Sequence, residues 1–209
     1  MLTHTFNLRR RKKIISKKIP LVFGISGVAR SGKDTFASYL INKFQKKGFP
    51  SLRLSFADAV KKDMDGFLKE NLNISAFTVK NKEKEIIRPL LVCYATDVCR
   101  NKIHKNFWID KIKPRVLSCV NEKVVSVIPD VRYENEAKWI KSLGGYIIHI
   151  ERSGNKPANF EEKSNDPIVK KISDFKIKWN DFKDRERACS FYCSKLFREN
   201  EWSLYGEFK

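Results

Sequence analysis

Residues 27–35 read Gly27-Val28-Ala29-Arg30-Ser31-Gly32-Lys33-Asp34-Thr35, two glycines framing a loop that closes on a lysine. A backbone that wraps closely around a phosphate group needs glycine at its tight turns, where a Cβ would clash. Successive N–H groups and a helix N-terminus then face the anion, and Lys33 adds a full positive charge. The hydroxyls of Ser31 and Thr35 are candidates for phosphate or magnesium contacts. Asp34 stands where most phosphate loops place Ser or Thr. Its carboxylate would repel phosphate unless it points outward or reaches magnesium through water.

Two further groups could do related chemistry. Asp130-Val131-Arg132 follows the apolar run Val124–Ile128. In an open parallel sheet the C-terminal strand ends line the ligand crevice, which sets Asp130 and Arg132 beside the phosphate loop. Asp130 could hold magnesium through water or bind an acceptor hydroxyl, and Arg132 could clamp a phosphate with its planar fork. Between Arg88 and Trp108 lie Thr96, Asp97 and Arg100. An arginine at a helix start and a nearby aromatic ring suit a nucleotide's phosphate and base.

The elements that must position these residues follow from hydrophobic spacing. Leu21–Ile25, Ser51–Phe56, Val124–Ile128, Tyr146–Ile150 and Phe175–Trp179 read as short apolar strands. Phe36, Ala37, Leu40, Ile41 and Phe44 recur at helical spacing, closed by Gly48 and Pro50. Further helices are expected over about 58–70, from Pro89 onward, over 107–117 with Pro114 shortening or kinking it, over 133–143, and over about 182–197. Leu72–Asn81 reads as a loop. In the helix opened by Pro89, the residues Leu90, Leu91, Tyr94 and Val98 form the expected buried stripe, leaving Thr96, Asp97 and Arg100 free to face a cleft. The polar stretch 152–171 reads as a long loop or mobile lid. Strands alternating with helices predict an α/β three-layer domain, a mostly parallel sheet covered on both faces.

Composition narrows the function classes. The 209 residues, 42% hydrophobic, suffice for one sizeable core, and no run approaches the length of a membrane span. The balance of 43 basic and 24 acidic side chains gives +19. Seven of the cations (Arg9, Arg10, Arg11, Lys12, Lys13, Lys17 and Lys18) lie in a basic arm over residues 1–19. The remaining chain is still strongly basic, which points to anionic partners such as nucleotides or nucleic acid. Five cysteines without CxxC spacing fit a reduced, intracellular chain with buried thiols, and three scattered histidines give no zinc pattern.

With these residues in view, the chain resembles the bacteriophage deoxynucleoside monophosphate kinases. The resemblance rests on the loop 27–35, on Ala95-Thr96-Asp97 with the later Phe107-Trp108, on Pro129-Asp130-Val131-Arg132-Tyr133-Glu134-Asn135-Glu136, and on the stretch from Gly144 to Arg152. It spans about residues 21 to 180. It implies a P-loop kinase fold over residues 20–209 and ATP with magnesium as phosphoryl donor. Gly27, Arg30, Gly32, Lys33, Asp34 and Thr35 would hold ATP. Arg88, Thr96, Trp108, Asp130, Arg132 and Glu136 would surround a deoxynucleoside monophosphate. Lys33, Arg30 and Arg132, with Arg152 or Lys156 from a lid, would neutralise charge during transfer. A viral source, a host cytoplasm and a homodimer all agree with that resemblance. The animal phosphomevalonate kinases resemble the same loop and D-x-R block, which keeps a small-molecule kinase as an alternative. A basic, ATP-dependent nucleic-acid-binding protein is the alternative that the charge supports.

Overall fold

The computed structural model describes residues 18–180 and 184–202. The basic arm expected over 1–19 lies outside the described residues except for Lys18 and Ile19, and Ile19 is buried in the core. Strands β1 (Val22–Ser26), β2 (Ser51–Arg53), β3 (Val125–Val131), β4 (Tyr146–Arg152) and β5 (Phe175–Trp179) form one sheet. Its order is β2-β3-β1-β4-β5, and every neighbouring pair is parallel. The helices are α1 (Lys33–Lys46), α2 (Phe56–Leu72), α3 (Asn81–Val92), α4 (Phe107–Asn121), α5 (Glu134–Ser142), α6 (Phe160–Ile172) and α7 (Arg185–Glu199). A π-helical segment, Cys93–Ile103, continues α3.

The three expected layers follow from strand alternation. Phe23 and Ile25 of β1 enter one core with Phe36, Leu40 and Phe44 of α1 and Cys193 and Leu196 of α7. Val22 enters the other with Ile128, Val116 of α4 and Ile140 of α5. Gly24 lets α5 approach: a Cβ there would sit 2.8 Å from the Ile140 side chain. The connections from β1 and β3 leave in opposite directions, so a crevice opens at the C-terminal ends of these adjacent strands. The loop 27–32 and Asp130-Val131-Arg132 meet there.

Several local expectations are corrected. Strand β3 does not stop at Pro129 but runs through it to Val131. Between Gly24 and Ser26 of β1 the partner strand advances from Ile128 to Val131, one residue more than β1. This bulge accommodates a proline in an interior strand and re-aims the neighbouring Asp130. Pro89 does not open its helix; α3 starts at Asn81 and contains it. Pro89 and Glu85, whose carbonyl loses its helical donor, are both exposed, so water can satisfy that group. The expected stripe is displaced too. Leu90 and Val98 are 40% and 42% exposed, whereas Ile87 and Cys99 are buried. The wider i→i+5 turns of the π-helical segment shift the inward-facing positions. Helix α4 passes through Pro114 to Asn121.

The largest correction concerns 152–171. Most of that stretch is helix α6, which packs against α5, β1 and β4. Asn159 caps it by accepting from the Glu162 N–H at 2.8 Å. Glu161 and Glu162 occupy its first turn and Lys170 and Lys171 its last, matching the helix dipole. Only Glu162 and Val169 of α6 are buried, so no apolar stripe marks it in the sequence.

Of the cysteines, Cys99, Cys119, Cys189 and Cys193 are buried and Cys93 is exposed, all free thiols. Burial pushes the Cys189 thiol up to about 11 and Cys193 to about 12. Among the described residues no helix is long and apolar enough to cross a membrane.

Leu40→Ala should lower unfolding free energy by about 2–5 kcal/mol, because Leu40 is fully buried between α1 and the sheet. Phe191→Ala, at a 60% exposed position, should change it by less than about 0.5 kcal/mol in the same urea titration. Beneath the crevice His149 is 1% exposed and its Nδ1 lies 3.0 Å from Ser26 Oγ. Burial lowers its pKa to about 4, so an NMR titration of the ring should find it neutral down to mildly acidic pH, with a midpoint near that value.

Candidate active site

The loop after β1 is built by three backbone positions with positive φ: Gly27 at 138°, Arg30 at 62° and Gly32 at 95°. A Cβ on Gly27 would lie 2.2 Å from the Ile150 carbonyl oxygen, so this position accepts only glycine. Helix α1 begins at Lys33 behind Gly32, which is the N-cap in the left-handed region and has no side chain to cap the first-turn amides. Those amides remain for an incoming anion. The loop is held from outside. Trp179 Nε1 donates to the Ser31 carbonyl at 2.7 Å, and Asn155 Nδ2 donates to the Ala29 carbonyl at 3.2 Å.

Lys33 donates to the Val28 carbonyl at 3.4 Å. Burial lowers its pKa; Asp34 opposes that shift, and Arg132 adds to it. Lys33 therefore feels the Arg132 guanidinium. Arg30, Gly32, Lys33, Asp34 and Thr35 line a pocket of about 200 Å³ with Arg152 and Arg185. Ser31 is fully buried and its hydroxyl has no hydrogen-bond partner. Asp34 is exposed and lies 3.7 Å from Arg53.

On the other side of the loop lies a cavity of about 310 Å³. Phe56, Val60, Ile87, Leu91 and Trp108 give it apolar walls, with Thr78 and Thr96 as hydroxyls. Arg88, Arg100, Asp130, Arg132 and Glu136 also line it, so seven of the residues singled out in the sequence converge there. Asp97 is exposed and not among the lining residues. Trp108 is 5% exposed, and its Nε1 donates to the Ala95 carbonyl at 2.9 Å. That bond fixes the π-helical segment against α4.

Two acids, Asp130 of β3 and Glu136 of α5, are bound to backbone amides. Asp130 accepts from Ser55 Oγ at 2.8 Å, Phe56 N at 3.2 Å and Ala57 N at 2.8 Å, which joins β3 to the start of α2. Burial raises its pKa, and these hydrogen bonds oppose the shift. Glu136 accepts from Arg132 N at 2.8 Å and Tyr133 N at 3.1 Å. Burial pushes its pKa up to about 7 despite Arg100. Arg100 stacks 3.4 Å over the Tyr133 ring and lies 3.7 Å from Glu136.

Glu162 was missed by the sequence reading. It comes from α6, is 9% exposed, and accepts from Ala29 N at 3.1 Å and Ala158 N at 2.9 Å. Its other oxygen lies 3.4 Å from the Arg132 guanidinium. The spacing Asn159-x-x-Glu162 is a helix-start signal that would have placed this residue.

This arrangement, an amide-lined loop with a lysine beside an apolar cavity edged by arginines, suits the transfer of a phosphoryl group between two nucleotides. Comparison with known proteins agrees. The deoxynucleotide monophosphate kinase family model matches residues 51–166, a stretch that carries the cavity walls. A protein of Acanthamoeba polyphaga mimivirus, which bears the provisional name deoxynucleotide monophosphate kinase, is 36% identical over 151 residues. That match covers 64% of this chain and 75% of the relative. Among solved structures, TT1252 of Thermus thermophilus aligns with 86% of this chain and 99% of its own at 17% identity, TM-score 0.49. The APS kinase CysC of Mycobacterium tuberculosis aligns over 85% and 96% at 12% identity, TM-score 0.41. Neither alternative drawn from the sequence, the small-molecule kinase or the nucleic-acid-binding protein, is favoured by the family model or the viral relative. The family match and the viral relative together establish that the chain belongs to the deoxynucleotide monophosphate kinase family, as a nucleotide kinase of α/β fold.

Proposed function

We propose that the protein transfers the γ-phosphoryl group of ATP to the 5′-phosphate of a deoxynucleoside monophosphate, giving ADP and the deoxynucleoside diphosphate. The observation that carries this reading is the position of Arg132. It lines the apolar cavity and also a small pocket shared with Ser26 and Gly27 at the root of the phosphate loop. An acceptor in the cavity and a donor in the loop would meet at this guanidinium.

The cavity suits a nucleoside monophosphate. Its volume of about 310 Å³ holds a small organic ligand, and a flat base fits between Phe56, Leu91 and Trp108. Arg88, Arg132, Lys61 and Lys84 on the same walls would face the acceptor phosphate. Arg100 and Glu136 support the wall by holding Tyr133 and the turn at Arg132, and Asp130 does so by anchoring α2.

The acceptor oxygen needs no strong base, since the second phosphate pKa is about 6. The difficulty is to bring two polyanions into line. Catalysis is then mostly positioning and charge neutralisation. Loop amides and Lys33 hold the donor, Arg30 and Arg152 face it from the pocket wall, and Arg132 serves the transferred group from the acceptor side. Lys156, in the segment 153–159 before α6, is a further cation that could close over the phosphates.

Magnesium fits the donor side. Thr35 lines the pocket with Lys33, and the Asp34 carboxylate, 71% exposed, is within reach of solvent water. Magnesium usually keeps several waters and takes few protein ligands beside phosphate oxygens, so Thr35, with Asp34 through water, would suffice. Bound there, it would neutralise phosphate charge.

A coupled ADP-release assay over the four deoxynucleoside monophosphates, AMP and phosphomevalonate tests the proposal. Turnover with at least one deoxynucleotide is expected, and turnover with phosphomevalonate alone would refute it. Lys33→Ala should keep its melting temperature, since the side chain makes one long hydrogen bond, but lose about a hundredfold or more in kcat. Arg132→Ala should raise acceptor KM, lower kcat, or both. Unchanged values would make Arg132 a purely structural residue.

A further inference from the structure

One amide of the phosphate loop already has an anion on it. Glu162 Oε2 takes the Ala29 N–H, and Oε1 reaches Arg132 across the gap. Ala29 belongs to the donor loop, and Arg132 lines the acceptor cavity. A carboxylate held between these two groups stands where a terminal phosphoryl group must pass from one nucleotide to the other. We propose that Glu162 is a positioning residue that occupies the transfer gap as an internal anion and yields it to the terminal phosphoryl group of the donor. The inference rests on the kinase reading above.

Three features support an exchange over a fixed tie. The carboxylate is nearly buried, yet its Arg132 contact is long at 3.4 Å and Arg132 itself is 51% exposed. Charge-assisted bonds of good geometry are shorter, about 2.7–2.9 Å, so phosphate oxygens can outcompete this one. The residue sits in the first turn of α6, and its second amide partner, Ala158, belongs to the connecting segment rather than to the loop. Glu162 Oε2 accepts from both amides, so as it leaves Ala29 it loosens Ala158 as well. Finally, Asn155 from the same segment holds the Ala29 carbonyl, so the two peptide groups flanking this loop position are both gripped from residues 155–162. Filling the donor site is thereby linked to the segment that carries Lys156.

The consequence is selective. A donor with three phosphates must displace Glu162, whereas ADP, which lacks the transferred group, need not. Replacing the carboxylate by an amide removes the competing charge without shortening the side chain. Glu162→Gln should therefore tighten binding of the non-hydrolysable ATP analogue AMP-PNP about fivefold or more, as expected for one charge-assisted hydrogen bond, and leave ADP affinity within about twofold. Isothermal titration calorimetry on both proteins reads this ratio. Equal tightening of both ligands would indicate only a change in general charge and would overturn the proposal, as would weaker or unchanged AMP-PNP binding. Hydrogen exchange on the wild-type chain gives a second reading that needs no variant. AMP-PNP, but not ADP, should speed exchange in the peptide covering residues 157–163, and equal protection by both ligands would also overturn the proposal. Failure of the wild-type chain to bind either nucleotide would instead sink the kinase reading, and this inference with it.

Discussion

The site depends on one backbone turn. At the end of β1 the chain must reverse into α1 within six residues while aiming its amides inward, and three of those residues take positive φ to do so. The Ile150 carbonyl of the neighbouring strand lies so close to Gly27 that no side chain fits there. The turn is therefore set by strand β4 as much as by its own glycines. Removing that carbonyl's register would free the loop to collapse or swing away. Trp179 from β5 and Asn155 from the segment before α6 complete the clamp from two further elements. The parallel sheet supports this amide cup by fixing the ends of β1, β4 and β5 side by side.

A second principle organises the cavity wall. Asp130, Glu136 and Glu162 each accept backbone N–H groups, and each joins a strand end or loop to a helix start. Buried carboxylates without partners would destabilise the fold, but here every one has at least two donors. Glu136 illustrates the balance: burial drives its pKa up to about 7 while two amides and Arg100 pull against it. In return, the turn at Arg132 is held through its own N–H, leaving the guanidinium directed by Glu162 and by whatever enters the crevice.

Legibility in the sequence followed locality. The loop 27–35 was readable because its chemistry is contained in nine consecutive residues between an apolar strand and an amphipathic helix. The sheet was readable because parallel strands buried on both faces are continuous apolar runs. Asp130 and Arg132 could be placed by their strand, although the strand was ended too early: Pro129 signals a stop unless a bulge absorbs it, and bulges are set by the partner strand. The stripe over Leu90, Leu91, Tyr94 and Val98 held in part: Leu91 and Tyr94 pack against the core, Leu90 is exposed on α3, and the π-helical period, which nothing in the composition announces, buries Cys99 in place of Val98. Helix α6 escaped for the opposite reason. Its inward face is a carboxylate and one valine, so hydrophobic spacing had little to detect, and the contact of Glu162 with Ala29 spans 133 residues.

The distribution of charge explains why acids remain in a cleft meant for polyanions. Lys33, Arg88, Arg100 and Arg132 lie around the loop and cavity; Arg132 opposes protonation of Lys33, and Arg100 opposes protonation of Glu136. Without counter-charges these side chains would favour extended, solvated positions and the walls would splay. Two carboxylates tethered to amides neutralise part of that repulsion: Glu136 lies 3.7 Å from Arg100, and Glu162 lies 3.4 Å from Arg132. The chain's wider excess of +19 acts at longer range and would draw anionic nucleotides toward the protein. On the exchange proposed above, a phosphate oxygen would have to offer the Ala29 amide and Arg132 better geometry than the Glu162 carboxylate, whose guanidinium contact is 3.4 Å.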